Sequence, residues 1–215
     1  DDVLDQGTER RGVETARVIY GNSASVLGGD HLLIEALRRV QKAVPTLVLP
    51  LIEVIDEMVG AEARQLEARK DFSPSRERYL DIVLGKTASL FRWALTAGGH
   101  LGNLDTQSCE ILGSVGENLG MTFQMVDDLL DLQMTGDDTG KNALQDLNEG
   151  KLTWPLIIAC ERSPAIAAQV VAYANAETQI SEEKVQGLLN AIRETGAIEE
   201  TRLEAARYAE KAYKA

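Results

Sequence analysis

Apolar residues recur with the period of an α-helix along almost the whole chain. In LLIEALRRVQKAV (32–44), Leu32, Leu33, Ala36, Leu37, Val40 and Val44 fall at helical spacing. PTLVLPLIEVIDEMVGAEARQLEAR (45–69) predicts a long helix with a proline-marked entry and an apolar face of Leu51, Ile55, Met58 and Val59. Ser73-Pro74 reads as an N-cap with proline in the first turn, opening a helix that runs through SRERYLDIVLGKTASLFRWALTAG (75–98). A further helix covers CEILGSVGENLGMTFQMVDDLLDL (109–132). Its Gly113, Gly116 and Gly120 weaken an isolated helix, so they predict close approach to neighbouring helices. Ser163-Pro164 and Ser181 open two more helices, and residues 196–215 close the chain. Sustained two-residue alternation is absent, as are Asn-Gly or Asp-Gly turns between β-branched runs. The expectation is an all-α bundle of roughly eight helices with short loops.

Two acidic clusters interrupt this pattern. The chain opens DDVLDQGTERRG, with Asp1, Asp2 and Asp5 ahead of Arg10 and Arg11. If the stretch is helical, Asp1 and Asp5 share a face one turn apart. One reading is a solvated acidic face, since aspartate is at home near a helix start. The other is a Mg2+ site, because that ion takes carboxylate oxygens and leaves positions open for phosphate, which arginine recognises with its planar fork. FQMVDDLLD repeats the spacing with Asp127, Asp128 and Asp131. Phe123, Met125, Val126, Leu129, Leu130 and Leu132 surround these acids, which predicts a largely buried helix. Unpaired carboxylates there would cost several kcal/mol each, so a cation is expected to face them. Two such faces would clamp a Mg2+–diphosphate from opposite sides.

Composition narrows the alternatives. The chain has 215 residues, enough for one good core. A net charge of −12 argues against nucleic acid or an anionic membrane as the main partner. No apolar run is long enough to span a bilayer, and the start of the sequence does not read as a signal peptide, so none is expected. Cys109 and Cys160 are far apart, which predicts two buried thiols in a reducing, cytoplasmic setting. The chain starts at Asp1 rather than Met, so the first motif is expected to lack upstream neighbours. TGDDTGKN lacks the alternating ligands of an EF-hand and the spacing of a Walker A loop. His31 and His100 are isolated; His31 is expected near a turn at Gly28-Gly29-Asp30, and Trp93 and Trp154 read as packing residues.

Taken in order, five blocks resemble the trans-isoprenyl diphosphate synthases, or polyprenyl synthetases. They are DDVLDQGTERRG, GNSASVLGGDHLL, GKTASLF, FQMVDDLLD and GKNALQDLNEGKLTWPLI. The resemblance implies one helical domain of the isoprenoid synthase type over residues 1–215, lacking its N-terminal helices, with a cavity between helices. It implies Mg2+-dependent, head-to-tail condensation of isopentenyl diphosphate with an allylic diphosphate. It further implies that Asp1, Asp5, Asp127 and Asp131 hold Mg2+, three ions in all, with Asp2 and Asp128 pointing less directly inward. Arg10 and Lys86 are expected on the allylic diphosphate and Arg11 on isopentenyl diphosphate. Thr87, Gln124, Lys141 and Lys151 complete the substrate contacts, with Asp146 ordering a lid that carries the two lysines. Lys86 lies in the apolar run IVLGKTASLF, where a free ammonium is expensive and a diphosphate partner makes sense of it.

Two residues separate Asp2 from Asp5, unlike the four of bacterial farnesyl enzymes, and two blocks look like those of octaprenyl-type synthases. A long product for quinone side chains is therefore expected, ahead of a farnesyl or geranylgeranyl synthase. A terpene cyclase and a non-catalytic regulatory subunit rank lower, because both acidic motifs and the paired arginines survive. The family also implies a homodimer. Without the segment that normally precedes the first motif, residues 1–215 alone are expected to turn over weakly or not at all.

Overall fold

The computed structural model describes residues 2–10, 12–69, 71–132, 144–176 and 181–215. It is almost entirely helical, and two compact units divide it, Asp1–Ile52 and Glu53–Ala215, with the chain passing from one to the other within a helix.

In the first unit, a turn at the start leads into a minimal antiparallel pair, β1 (Glu9–Arg10) and β2 (Val13–Glu14). The first acidic stretch is thus a turn and hairpin rather than a helix. Gly12 closes the hairpin with φ of 77°, a conformation open to glycine at little cost. The Thr15 hydroxyl donates to the Gly7 carbonyl oxygen at 2.8 Å and ties the hairpin back to the turn. Helix α1 (Ala16–Ala43) follows, broken at Gly21, where φ is 83°. Gly28, Gly29 and Asp30 lie inside this helix, so the expected turn beside His31 is absent and His31 is exposed. No residue of α1 is buried. A 3-10 turn (Pro45–Leu47) precedes α2 (Val48–Ala68).

In the second unit, α3 (Arg76–Val83), a π-helical segment (Leu84–Ala88) and α4 (Ser89–Leu101) form one continuous run. Its cap is Ser75, whose side chain accepts from the Arg78 N–H, and not Ser73. The Ser73 hydroxyl is engaged instead by Asp71, at 2.6 Å. Helix α5 (Thr106–Asp131) starts three residues before the expected position because Asp105 accepts from the Ser108 N–H at 2.8 Å. After α6 (Gln145–Asn148) come α7 (Trp154–Arg162), α8 (Pro164–Ala174), α9 (Glu182–Glu194) and α10 (Ala197–Lys214). Ser163 caps α8 as expected, accepting from the Ile166 N–H.

The glycines of α5 mark where helices meet. A Cβ added at Gly116 would stand 2.4 Å from the Phe91 carbonyl oxygen, and one at Gly120 would stand 2.6 Å from the Ala88 Cα. Backbones therefore touch along the α4–α5 seam, as the glycine spacing predicts. Met121, Met125, Leu156, Ile158 and Ile192 build the core behind it, with both cysteines buried and free. No helix among the described residues is long and apolar enough to cross a membrane.

Candidate active site

Helix α5 shows three faces near its C-terminal end. Met121, Met125, Asp128 and Leu129 are buried. Gln124, Asp127 and Asp131 follow one another at helical spacing on a more open face, Asp127 being exposed. Leu119, Phe123, Val126 and Leu130 form an apolar stripe that is 41–55% exposed. The expectation of a largely buried helix therefore fails: only one side of α5 meets the core. Asp128 is the aspartate of the motif turned inward, at 2% exposure, and neutral donors face it rather than a cation. The Tyr79 hydroxyl donates to its Oδ2 at 2.6 Å and the Trp154 N–H to the same oxygen at 3.0 Å, while the Gln124 side-chain amide donates to Oδ1 at 3.1 Å. Burial still pushes its carboxyl up to about 7, and these bonds hold it from rising further.

The π-helical segment packs beside this face. A π turn adds a residue to the helical repeat and re-aims the side chains it carries, here Lys86 and Thr87. The Thr87 hydroxyl donates to Gln124 Oε1 at 3.0 Å, so two residues singled out in the sequence meet across α5. Lys86 already has partners. Its Nζ lies 2.5 Å from Glu62 and 2.6 Å from Gln65, both on α2. A diphosphate is thus not needed to account for a charged lysine in this apolar run.

Around the end of α5 the charges accumulate. Asp131 is pushed up to about 7, by burial first and by the charge of Asp146 second. Its Oδ1 accepts from the Gln145 N–H at 3.0 Å, whereas its Oδ2 is buried with no hydrogen-bond partner among the described residues. Asp146 is raised by burial, opposed by Lys151, and it senses Asp127 and Lys86 as well. Lys151 is half-buried, with its Nζ 2.5 Å from Glu149 and 3.9 Å from Asp146, so it is no free surface lysine. In the first unit, Arg10 reaches Asp2 at 3.4 Å and Asp5 lies partly covered. Asp1, Arg11 and Lys141 lie outside the described residues.

Among the described residues, no three His, Cys, Asp or Glu side chains gather closely enough to hold a metal ion. The chemistry of the α5 end nevertheless fits a hard dication. The donors are all carboxylate oxygens, one of them buried without a partner, and the acids resist ionising together. Tyr79, Glu62 and Gln65 were not singled out by sequence reasoning. The helical spacing of Glu62 and Gln65 places them on one face of α2, but only packing brings that face to Lys86.

The family profile described as Polyprenyl synthetase matches residues 1–192. The chain is 35% identical over 213 residues to the octaprenyl diphosphate synthase of Escherichia coli K12, covering 99% of this chain and 66% of that protein. It is 32% identical over 175 residues to the nonaprenyl diphosphate synthase of Mycobacterium tuberculosis, covering 81% and 52%. The crystal structure of a polyprenyl synthase from Caulobacter crescentus, complexed with calcium and isoprenyl diphosphate, superposes with a TM-score of 0.89 at 33% identity, covering 99% of this chain and 65% of that one. A decaprenyl diphosphate synthase from Rhodobacter capsulatus gives 0.88 at 31% identity, covering 100% and 66%. The chain thus spans about two thirds of the length of these relatives or less. By the profile match and by these likenesses, the chain belongs to the polyprenyl synthetase family.

Proposed function

We propose that the protein is a prenyltransferase that joins isopentenyl diphosphate head to tail with an allylic diphosphate. The product is an all-trans polyprenyl diphosphate of long chain, suited to quinone side chains, and pyrophosphate is released. The observation that carries this reading is the layout of α5, where an oxygen-rich face with Gln124, Asp127 and Asp131 runs beside an exposed apolar stripe. A prenyl diphosphate has the same two parts, an anionic head and a hydrocarbon tail. The octaprenyl, nonaprenyl and decaprenyl relatives support the long product over a farnesyl or geranylgeranyl one.

In this reading the allylic C–O bond breaks, the isopentenyl double bond attacks the cation, and a proton is lost. Lys86 and Arg10 hold the allylic diphosphate and Arg11 the isopentenyl diphosphate, while Lys141 and Lys151 bind phosphate, Lys151 once Glu149 and Asp146 release it. Thr87 and Gln124 line the reacting end, and the apolar stripe keeps water from the cation. Asp1, Asp5, Asp127 and Asp131 would hold Mg2+, three ions in all, which when bound neutralises the diphosphate and stabilises the departing pyrophosphate. The Caulobacter polyprenyl synthase, complexed with calcium and isoprenyl diphosphate, supports a protein that takes a dication and a prenyl diphosphate. Residues 1–215 act in this reading as part of one domain in a cytoplasmic homodimer, a setting that suits the two free thiols.

The test is prenyl transfer by the intact gene product that carries this chain, with labelled isopentenyl diphosphate, geranyl or farnesyl diphosphate as primer, and Mg2+ against an EDTA control. A Mg2+-dependent ladder ending at one long product is expected. No product from either primer, in folded protein, overturns the reading.

A further inference from the structure

We propose that Asp128 is a positioning residue, which fixes the side-chain amide of Gln124 in one orientation and thereby sets which way the Thr87 hydroxyl points. The proposal rests on the preceding reading only for the place of Thr87 and Gln124 beside the substrate.

The argument is one of donors and acceptors. The N–H of Trp154 has a single polarity, and it donates to Oδ2 of Asp128 at 3.0 Å. The Tyr79 hydroxyl donates to the same oxygen at 2.6 Å. The remaining oxygen, Oδ1, faces Gln124 at 3.1 Å. With Asp128 ionised its oxygens only accept, and Gln124 turns its NH2 towards Oδ1. Its carbonyl oxygen is then the group left for Thr87, at 3.0 Å, and the Thr87 hydroxyl must donate its proton there. What remains of the Thr87 oxygen is acceptor only. A buried residue thus dictates the polarity of a half-buried one through the amide between them. Asp128 is itself buried, and three elements, α3, α5 and the start of α7, converge on it. Such a satisfied network holds its members in one geometry.

Replacing the carboxylate by its isosteric amide separates this role from mere packing. In Asp128→Asn the amide oxygen stays with Trp154 and Tyr79, and its NH2 faces Gln124. Gln124 must then turn over and present its own NH2 to Thr87, inverting the pair. In the double variant Asp128→Asn/Gln124→Glu, the new carboxylate accepts from both sides and restores Thr87 as donor.

Turnover of the full gene product, melting temperature and binding of the unreactive geranyl S-thiolodiphosphate are measured for both singles and the double. Asp128→Asn is expected to lose at least tenfold in kcat while its affinity for the analogue changes less than threefold, and the double variant is expected to recover most of the loss. A kcat for Asp128→Asn within twofold of the wild type, or a double variant no faster than Asp128→Asn, overturns the proposal. Gln124→Glu alone sets two carboxylates against each other and tests the same contact should Asp128→Asn prove too unstable to assay. Unchanged kcat there is equally fatal. A second readout is independent of turnover. An NOE between the Gln124 side-chain amide protons and the Thr87 methyl protons is expected to be stronger in Asp128→Asn than in the wild type, and its failure to strengthen overturns the orientation argument. Absence of product from the wild-type protein would instead count against the proposed function and leave the NMR result to decide this point.

Discussion

The ammonium of Lys86 lies 2.5 Å from the carboxylate of Glu62, one turn along α2 from Gln65, which accepts its second bond. An incoming diphosphate must compete with this carboxylate for the lysine. Lys86→Ala removes a charge-assisted contact worth about 1.5–3 kcal/mol, so the dissociation constant for an allylic diphosphate should rise roughly tenfold to a hundredfold. Glu62→Gln should leave affinity intact or tighten it a few-fold, because the competing charge is gone. Isothermal titration with geranyl S-thiolodiphosphate checks both, and unchanged binding in Lys86→Ala would remove this residue from the site.

Adjacent aspartates should respond in opposite ways. Asp127 is exposed and its loss should cost no more than about 0.5 kcal/mol of stability, yet lower prenyl transfer by about a thousandfold. Asp128→Ala strands the buried donors of Tyr79, Trp154 and Gln124, and should cost about 2–4 kcal/mol of folding free energy. Denaturant unfolding beside the transfer assay separates them. Near-normal rates in Asp127→Ala would sink its role at the metal.

Two glycine-to-alanine exchanges should also diverge. At Gly116 the new methyl group meets the Phe91 backbone at 2.4 Å and has nowhere to go, so the exchange should destabilise by about 1–3 kcal/mol. At Gly187, inside α9, nothing stands within 4 Å and alanine should stabilise by about 0.5–1 kcal/mol. Thermal melts of the two variants decide it.

Burial, and then the charge of Glu161, push the Cys160 thiol up from 9.0 to about 11. A folded-state pKa above the unfolded one means that its contribution to stability is complete below pH 9 and is lost as the pH rises through 11. Near neutral pH its thiolate is about a hundredfold scarcer than that of an ordinary cysteine, so iodoacetamide should label Cys160 in the native protein at least that much more slowly than in urea. Equal rates by peptide mass spectrometry would contradict its burial.

Local chemistry is what the sequence made readable. Ser163-Pro164 announced α8 because cap and first turn are neighbours in the chain, and the three glycines of α5 announced a close seam because helical spacing aligns them. Ser73 misled because Ser75 is two residues away and equally able to cap, and the choice depends on Asp71 engaging the first. The partners of Lys86 were hidden for a different reason. Glu62 and Gln65 lie more than twenty residues away and carry no signal of their own until α2 packs. Likewise, the apolar letters around DDLLD say that α5 has a buried side but not which aspartate occupies it. Tyr79 and the backbone of Trp154 decide that, and neither is near it in the chain.

The inward turn of Asp128 bears on any attempt to transplant this motif. Grafting DDLLD onto another helix would carry over its outer carboxylates along with a central one that has lost its keyholes. The portable unit is larger and discontinuous: the stretch of one helix from Gln124 to Asp131, a tyrosine from a second and the opening peptide of a third.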